Sequence, residues 1–345
     1  MSAKLSPTIA FASDAAANQL VAGIPAAARA LRNAAYAGIE GSVRIAVPGG
    51  WVPSETCLYE AARLTPDARW TADNIAGAEG AMISGADLQR AALVPPPGRE
   101  DAASPFRSGA SALRHEARAI IAETRKPSDG IVSRYINRPI SQTISSIFLR
   151  FPGARPWHAT LATALIGIVM AASLFLNLDE GLLIGAILFQ VASVVDGVDG
   201  EIARATFRTS AGGAMLDSMT DALTNLAFFA GVAWNLFANG AVEAASAGAV
   251  GFSLLAIGKI LLAREARRSG SDFTFDALKT KMTEKPSRIR QWLTWMTMRD
   301  FYALAACIAI LIGAAKGLMF AFAIVTAGWF AVLCMLLLLR GPVQS

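Results

Sequence analysis

The pattern of apolar and polar positions changes character near the middle of the chain. Up to about residue 120, short apolar runs alternate with mixed segments. Thr8–Ala12 and Val43–Val47 have the length and content of strands. Between them, Asn18–Ala37 repeats small and apolar residues at helical spacing, with Leu20, Ala27, Leu31 and Ala34 on one face. Gly80–Leu88 predicts a further strand and turn, and Ser111–Thr124 a helix. Alternating strands and helices predict a small α/β domain. Val94–Arg107 (VPPPGREDAASPFR) mixes proline, glycine and charge, and reads as a linker.

Beyond residue 157 the runs lengthen. Ala159–Leu178 has 20 residues without an ionisable side chain. At a rise of about 1.5 Å per residue this matches a hydrocarbon core of about 30 Å. Gly181–Val195, Ala222–Val242, Ala244–Gly258, Phe301–Ala315 and Gly317–Leu339 follow, so the pattern predicts six membrane helices. The expected fold is an α-helical integral membrane protein with six transmembrane helices and a small N-terminal α/β domain. The expected division is residues 1–120 for that domain, 121–156 for a linker and interfacial helix, and 157–345 for the membrane domain. Tyr135–Phe151 is amphipathic: Ile140, Ile144, Ile147 and Phe148 oppose Arg138, Gln142 and Arg150, which suits the membrane surface.

Composition agrees. The chain is 54% hydrophobic and 17% charged, below the roughly one quarter charged of an ordinary soluble domain. Disorder and a collagen repeat are excluded. The three cysteines lack disulfide or zinc spacing, and two histidines cannot build a histidine-rich metal site. No basic segment followed by a long apolar run opens the chain, so a cytosolic N-terminus without a cleaved signal is expected. The net charge of +5 matters less than its distribution. Arg134, Arg138, Arg150 and Arg155 precede the first run, and Arg204 and Arg208 lie between the second and third. Arg264 to Arg299 is strongly basic, and Arg340 follows the last run. Opposite connections hold Asp179, Glu180, Glu243 and only Lys316. Basic residues favour the cytoplasmic side, which places both termini there, in a cytoplasmic-membrane protein.

The chemistry is concentrated in VVDGVDGEIARATFRTSAGGAMLDSMTDALTN. Asp196 and Asp199 are three apart and share one helix face, and Asp217 and Asp221 are four apart and share another. Each carboxylate in a membrane helix costs a few kcal/mol, so the four require cationic neutralisation. Facing pairs would form a hard-oxygen site for Mg²⁺ or Mn²⁺, with room for two ions and phosphoryl transfer. Arg204 is placed to meet a phosphate. Two other readings remain at this point. The acids could pair structurally with Arg204, Arg208 or Lys259, or they could form the proton relay of an ion-coupled transporter.

This stretch resembles the signature of the CDP-alcohol phosphotransferase family, D-x2-DG-x2-AR-x8-G-x3-D-x3-D. Asp196, Asp199, Gly200, Ala203, Arg204, Gly213, Asp217 and Asp221 match every fixed position, and the resemblance extends over about residues 126–340. It implies an enzyme that displaces CMP from a CDP-linked alcohol with an acceptor hydroxyl. By that resemblance Asp196, Asp199 and Asp217 hold metal, and Asp221 joins the metal centre and serves as base. Gly200, Ala203, Arg204 and Gly213, with Asp199, line the cytidine diphosphate pocket. Trp157 stands where related proteins often have asparagine at the start of the first helix. The resemblance also implies a homodimer; no nucleic-acid partner is expected.

Lys126–Pro139 (KPSDGIVSRYINRP) resembles the segment that joins a nucleotidyltransferase-like domain to the membrane domain in bifunctional inositol-phosphate cytidylyltransferase / di-inositol-phosphate phosphate synthase proteins, and Val21–Ile39 resembles the early part of a sugar-nucleotidyltransferase domain. An active nucleotidyltransferase needs a glycine-rich basic loop for triphosphate. Here that place holds Ala12–Asn18 (ASDAAAN), without glycine, lysine or arginine, so a degenerate domain is expected. Lys259, Arg264 and Arg299, at cytoplasmic helix ends, are candidates for binding a phosphorylated acceptor. The donor could be CDP-diacylglycerol or a CDP-polyol. The acceptor could be inositol, its phosphate, another polyol or a lipid. A phosphatidylglycerophosphate-type synthase is the alternative enzyme.

Overall fold

A computed structural model describes residues 7–39, 42–77, 82–90, 109–269 and 298–339. The linker at Val94–Arg107, the basic residues Lys279–Arg290 and Arg340 lie outside them. Two compact units emerge. The first takes in residues 1–125, 142–155 and 200–208; the second takes in 126–141, 156–199 and 209–345.

In the first unit, strand β1 (Thr8–Ala10) leads into a short helix α1 (Asp14–Asn18), capped by the Ser13 hydroxyl, which accepts from the Ala16 N–H. Strands β2 (Leu20–Val21) and β3 (Ile24–Pro25) form a hairpin before α2 (Ala26–Tyr36). The periodicity over Asn18–Ala37 is therefore realised as helix only from Ala26. Ala22 and Gly23, at φ +46° and +82°, form a two-residue turn with both central residues in positive φ. Residue spacing alone cannot register such a turn, because two-residue strands carry too few positions to break a helical pattern.

β4 (Val43–Val47), α3 (Glu55–Leu64), β5 (Trp70–Asn74), β6 (Met82–Ser84) and α4 (Ala110–Glu123) follow. Four strands pair in parallel in the order β5-β4-β1-β6, with Ile9 opposite Ile45 on one side and Ile83 on the other. Central parallel strands are covered on both faces, which is why β1 and most of β4 are buried and nearly uncharged.

Residues Ser133–Asn137 form a wide helical turn that runs into α5 (Arg138–Phe148). Along α5, Ile140, Ile144 and Ile147 are exposed, whereas Ser141 and Ser145 are buried. The second unit is otherwise built from α6 (Pro156–Leu176), α7 (Gly181–Ala205), α8 (Ala211–Ala238), α9 (Val242–Ser269), α10 (Arg299–Leu311) and α11 (Ala315–Leu339). The last turn of α7 belongs to the first unit.

Four of the described helices are long and apolar enough to cross a membrane: α6, α7, Val242–Arg264 of α9 and Ala315–Met335 of α11. The other two fall short for separate reasons. α8 carries Asp217, Asp221, Asn225 and Asn235 along its length. α10 has 13 residues, which at about 1.5 Å each cover about 20 Å.

The helical core is aromatic. Phe189 stacks on Phe228 at 4.0 Å, and Phe229 on Phe322 at 3.7 Å. Gly185 and Gly231 close on the Leu174 side chain, where a Cβ would lie 2.5 and 2.7 Å away. Small residues of this kind let apolar helices pack through their backbones. Fully buried Asn235 donates to the carbonyls of Leu174 and Asn177 at 3.2 and 3.0 Å, satisfying the end of α6.

Candidate active site

α7 and α8 bring the acidic residues together. Ser210 caps α8 by accepting from the Gly213 N–H at 3.1 Å, so the helix begins at Ala211, nearly two turns before Asp217. Carboxylate oxygens of Asp196, Asp217 and Asp221 all lie within 4.8 Å of one another. Asp199 is buried beside them in sequence but accepts from the Thr160 hydroxyl of α6 at 3.0 Å, and it is not one of the three. This pairing depends on which face of α6 meets α7, which residue spacing does not register.

Arg299, at the first position of α10, approaches the acids. Its Nη1 lies 3.0 Å from Asp196 and also pairs with Asp221. The pairing is one of charge: among the described residues none of its three guanidinium nitrogens makes an aligned hydrogen bond, and the buried Asp217 Oδ1 has no donor. A buried carboxylate oxygen without a partner is costly. One guanidinium cannot neutralise three carboxylates. Three carboxylates clustered at this separation around a single guanidinium fit a small divalent cation, which prefers hard oxygen ligands.

The acids line a cavity of about 610 Å³, entirely within the second unit. Lys259 of α9 and Arg299 also line it, so two of the three candidate acceptor residues face the same space as the acids. Arg264 is exposed and is not among the lining residues. Asn225 lines the cavity one turn beyond Asp221, with a buried Oδ1 that has no donor among the described residues. Its i+4 spacing from Asp221 was visible in the sequence, but a neutral amide carries no chemical signature of its own.

A strap of residues before α5 closes one wall. Arg138 grips Asp129 through Nε and Nη2, at 2.8 and 3.0 Å, and its Nη1 reaches the Gly197 carbonyl at 3.4 Å. Asp300 accepts from the Ser133 N–H at 2.6 Å. Burial alone would raise the Asp129 carboxyl. The Arg138 guanidinium and the Lys126 N–H outweigh it and hold the group below the usual carboxylate range.

The remaining motif positions fall at the last turn of α7 and the first of α8. The Arg204 Nε donates to the Thr124 carbonyl at 2.9 Å. A Cβ at Gly200 would meet the Arg204 guanidinium at 3.0 Å, so glycine there leaves room for that group to lie along the helix. Ala203 is half-buried. A Cβ at Gly213 would touch only the Ser210 hydroxyl, and Gly212 faces open space. The exposed Trp157 ring rests on His158 at 3.9 Å.

Comparison with known proteins adds three observations. The family model described as CDP-alcohol phosphatidyltransferase matches residues 156–339. A protein named bifunctional IPC transferase and DIPP synthase from Thermococcus kodakarensis is 38% identical over 106 residues, which is 31% of this chain and 23% of the relative. Proteins of the same name from Archaeoglobus fulgidus and Aquifex aeolicus are 35% identical over 122 residues and 38% over 109. These matches cover 35% and 31% of this chain, so the chain aligns with about a quarter of each curated relative (24% in both).

Proposed function

Because the chain belongs to the CDP-alcohol phosphatidyltransferase family, a family of transferases of phosphate-containing groups, we propose that it moves a substituted phosphate from a CDP-linked alcohol to an acceptor hydroxyl, releasing CMP. The observation that carries the reading is the convergence of the Asp196, Asp217 and Asp221 carboxylates on one cavity, with the buried Asp217 Oδ1 lacking a donor among the described residues. These three, with Asp199, would hold one or two Mg²⁺ or Mn²⁺ ions. When bound, the metal neutralises the donor's pyrophosphate and makes CMP a tolerable leaving group.

The chain's own residues supply the rest. The acceptor oxygen forms a new bond to the phosphorus that carries the alcohol, and the bridging P–O bond to CMP breaks. Asp221 takes the acceptor's hydroxyl proton, and CMP leaves with the bridging oxygen. Gly200, Ala203, Arg204 and Gly213 bind the cytidine diphosphate moiety, with small side chains admitting the nucleotide and Arg204 countering phosphate charge. Lys259 and Arg299, which line the cavity, suit an acceptor that itself carries phosphate. The relatives' names support an inositol phosphate or a related polyol as that acceptor.

The same reading covers topology. All six helices cross the cytoplasmic membrane, with termini and acids on the cytoplasmic side; the distribution of Arg and Lys supports it. The chain acts as a homodimer, and the N-terminal α/β domain has no nucleotidyltransferase activity. In support of the last point, the segment after β1 forms α1, with the Asp14 carboxylate accepting from Val52 N–H at 3.1 Å, where a triphosphate loop would be needed.

The test incubates the purified chain in lipid nanodiscs with CDP-diacylglycerol or CDP-inositol and a panel of acceptors, following CMP. Release that needs Mg²⁺ or Mn²⁺ and is lost in Asp217→Asn is expected. CMP release unaffected by chelation, or none from either donor, refutes the proposal.

A further inference from the structure

The last turn of α7 is held in an unusual way. Phe207 follows the helix at φ +52°, the left-handed region. Arg208 N–H donates to the Ala203 carbonyl at 2.8 Å, and Phe207 N–H to Arg204 at 3.4 Å. That pair of bonds is the Schellman pattern, in which the left-handed position is usually glycine. A Cβ crowds the following carbonyl there, and a bulky residue in that region is an outlier. Such a conformation persists only where its surroundings enforce it.

Here the enforcement comes from the N-terminal α/β domain, within the first unit. The Arg32 guanidinium lies 3.6 Å from the centre of the Phe207 ring, and that of Arg29 lies 5.0 Å away. Arg29 Nη2 donates to the Ala205 carbonyl at 2.6 Å. Arg63 donates to Thr206 at 2.8 Å and Phe207 at 3.2 Å. Glu60 joins Arg63 to Arg208 through two ion pairs. The carbonyls of residues 202 to 207 are all thereby satisfied: Ile202 accepts from Thr206, Ala203 and Arg204 accept within the turn, and the last three accept from arginine. Cations at these positions also complement the negative end of the helix dipole. The Ala22–Gly23 turn presses against the same segment, since a Cβ at Gly23 would come within 3.0 Å of Thr206. On the preceding turn, fully buried Glu201 accepts from the Ser145 hydroxyl at 2.5 Å.

We propose that the N-terminal domain is a positioning module for the catalytic helix. Arg29, Arg32 and Arg63 clamp the strained Phe207 turn, and so fix the rotation of the helix bearing Asp196 and Asp199. A degenerate nucleotidyltransferase-like fold is thus retained for its grip on one helix end. This inference rests on the proposed role of those aspartates in metal binding. Arg29, Arg32 and Arg63 are positioning residues, since they reach the acids only through the backbone of α7.

The experiment uses the full chain in nanodiscs. Arg63→Ala is the leading variant because its side chain is 22% exposed and its removal opens no core. Arg32→Ala, which removes the contact with the Phe207 ring together with one on Tyr36 and a hydrogen bond to the Asn33 Oδ1, is the second should Arg63→Ala not fold. Three quantities are read: hydrogen exchange of amides 206–210, Mn²⁺ affinity by electron paramagnetic resonance, and CMP release. Each variant is expected to speed exchange and to weaken Mn²⁺ binding by about tenfold, the scale on which outer supports of metal sites act. The loss of CMP release should fall on kcat more than on the donor KM. Adding Phe207→Gly should restore much of all three, because glycine holds positive φ without a clamp. A purely structural role predicts no such rescue. Unchanged exchange, or faster exchange with wild-type Mn²⁺ affinity, overturns the inference. A wild-type chain that binds Mn²⁺ yet releases no CMP refutes the proposed reaction instead, and leaves the clamp to be judged by exchange and Mn²⁺ affinity. A wild-type chain that binds no Mn²⁺ overturns both.

Discussion

Replacing Asp217 with asparagine should move stability and metal response in opposite directions. Three carboxylates sit within 4.8 Å of one another. At an effective dielectric of about 20, two unit charges at 4.8 Å repel by about 3.5 kcal/mol. Asp217 faces two such neighbours, and Arg299 pairs with those neighbours, Asp196 and Asp221. Their side chains are 23% and 31% exposed, so solvent screens much of the repulsion. A release of about 1–2 kcal/mol in the metal-free chain is a reasonable net, and each kcal/mol is worth roughly 1–2 °C in a chain of 345 residues. Asp217→Asn should therefore melt about 1–3 °C above wild type in EDTA. Wild type should gain about 2.7 kcal/mol with Mg²⁺ at a hundred times its dissociation constant, and the variant should lose most of that gain. Thermal unfolding of detergent-solubilised protein, with EDTA or Mg²⁺, reads both numbers. A variant that melts lower than wild type in EDTA and keeps the full Mg²⁺ shift would refute the electrostatic reasoning.

The Asp129–Arg138 pair should make acid stability pH-dependent. Asp129 is held below its ordinary value, so its contribution is present above the unfolded carboxylate value near 3.9 and is lost as pH falls through the lower folded value; melting curves of Asp129→Asn from pH 7 downward should lack that decline. The Cys57 thiol is fully buried and pushed up to about 11 by that burial, so iodoacetamide at pH 8 should label it only after unfolding, as peptide mass spectrometry can determine. Supplying CTP and a polyol phosphate to the full chain should yield no pyrophosphate; its appearance would show an active N-terminal site.

Much of the architecture could be read from residue order. Long uncharged runs anticipated the helices α6 to α11, and short apolar runs anticipated β1 and β4, because a long apolar helix or a strand inside a parallel sheet leaves a local compositional trace. Asp217 and Asp221 share a face by spacing alone, as i and i+4 must on a helix. What spacing could not decide was which carboxylates meet across two helices. That depends on how α7 and α8 pack, and the packing brings Asp196 to the pair on α8 while Asp199 turns to Thr160. Arg299, far along the chain, reaches the acids for the same reason. The grip of Arg29 and Arg63 on the end of α7 was likewise invisible, since an arginine bound to a distant carbonyl leaves no periodic mark. Local sequence determined the helices and their polar faces; long-range packing decided which polar groups those faces meet.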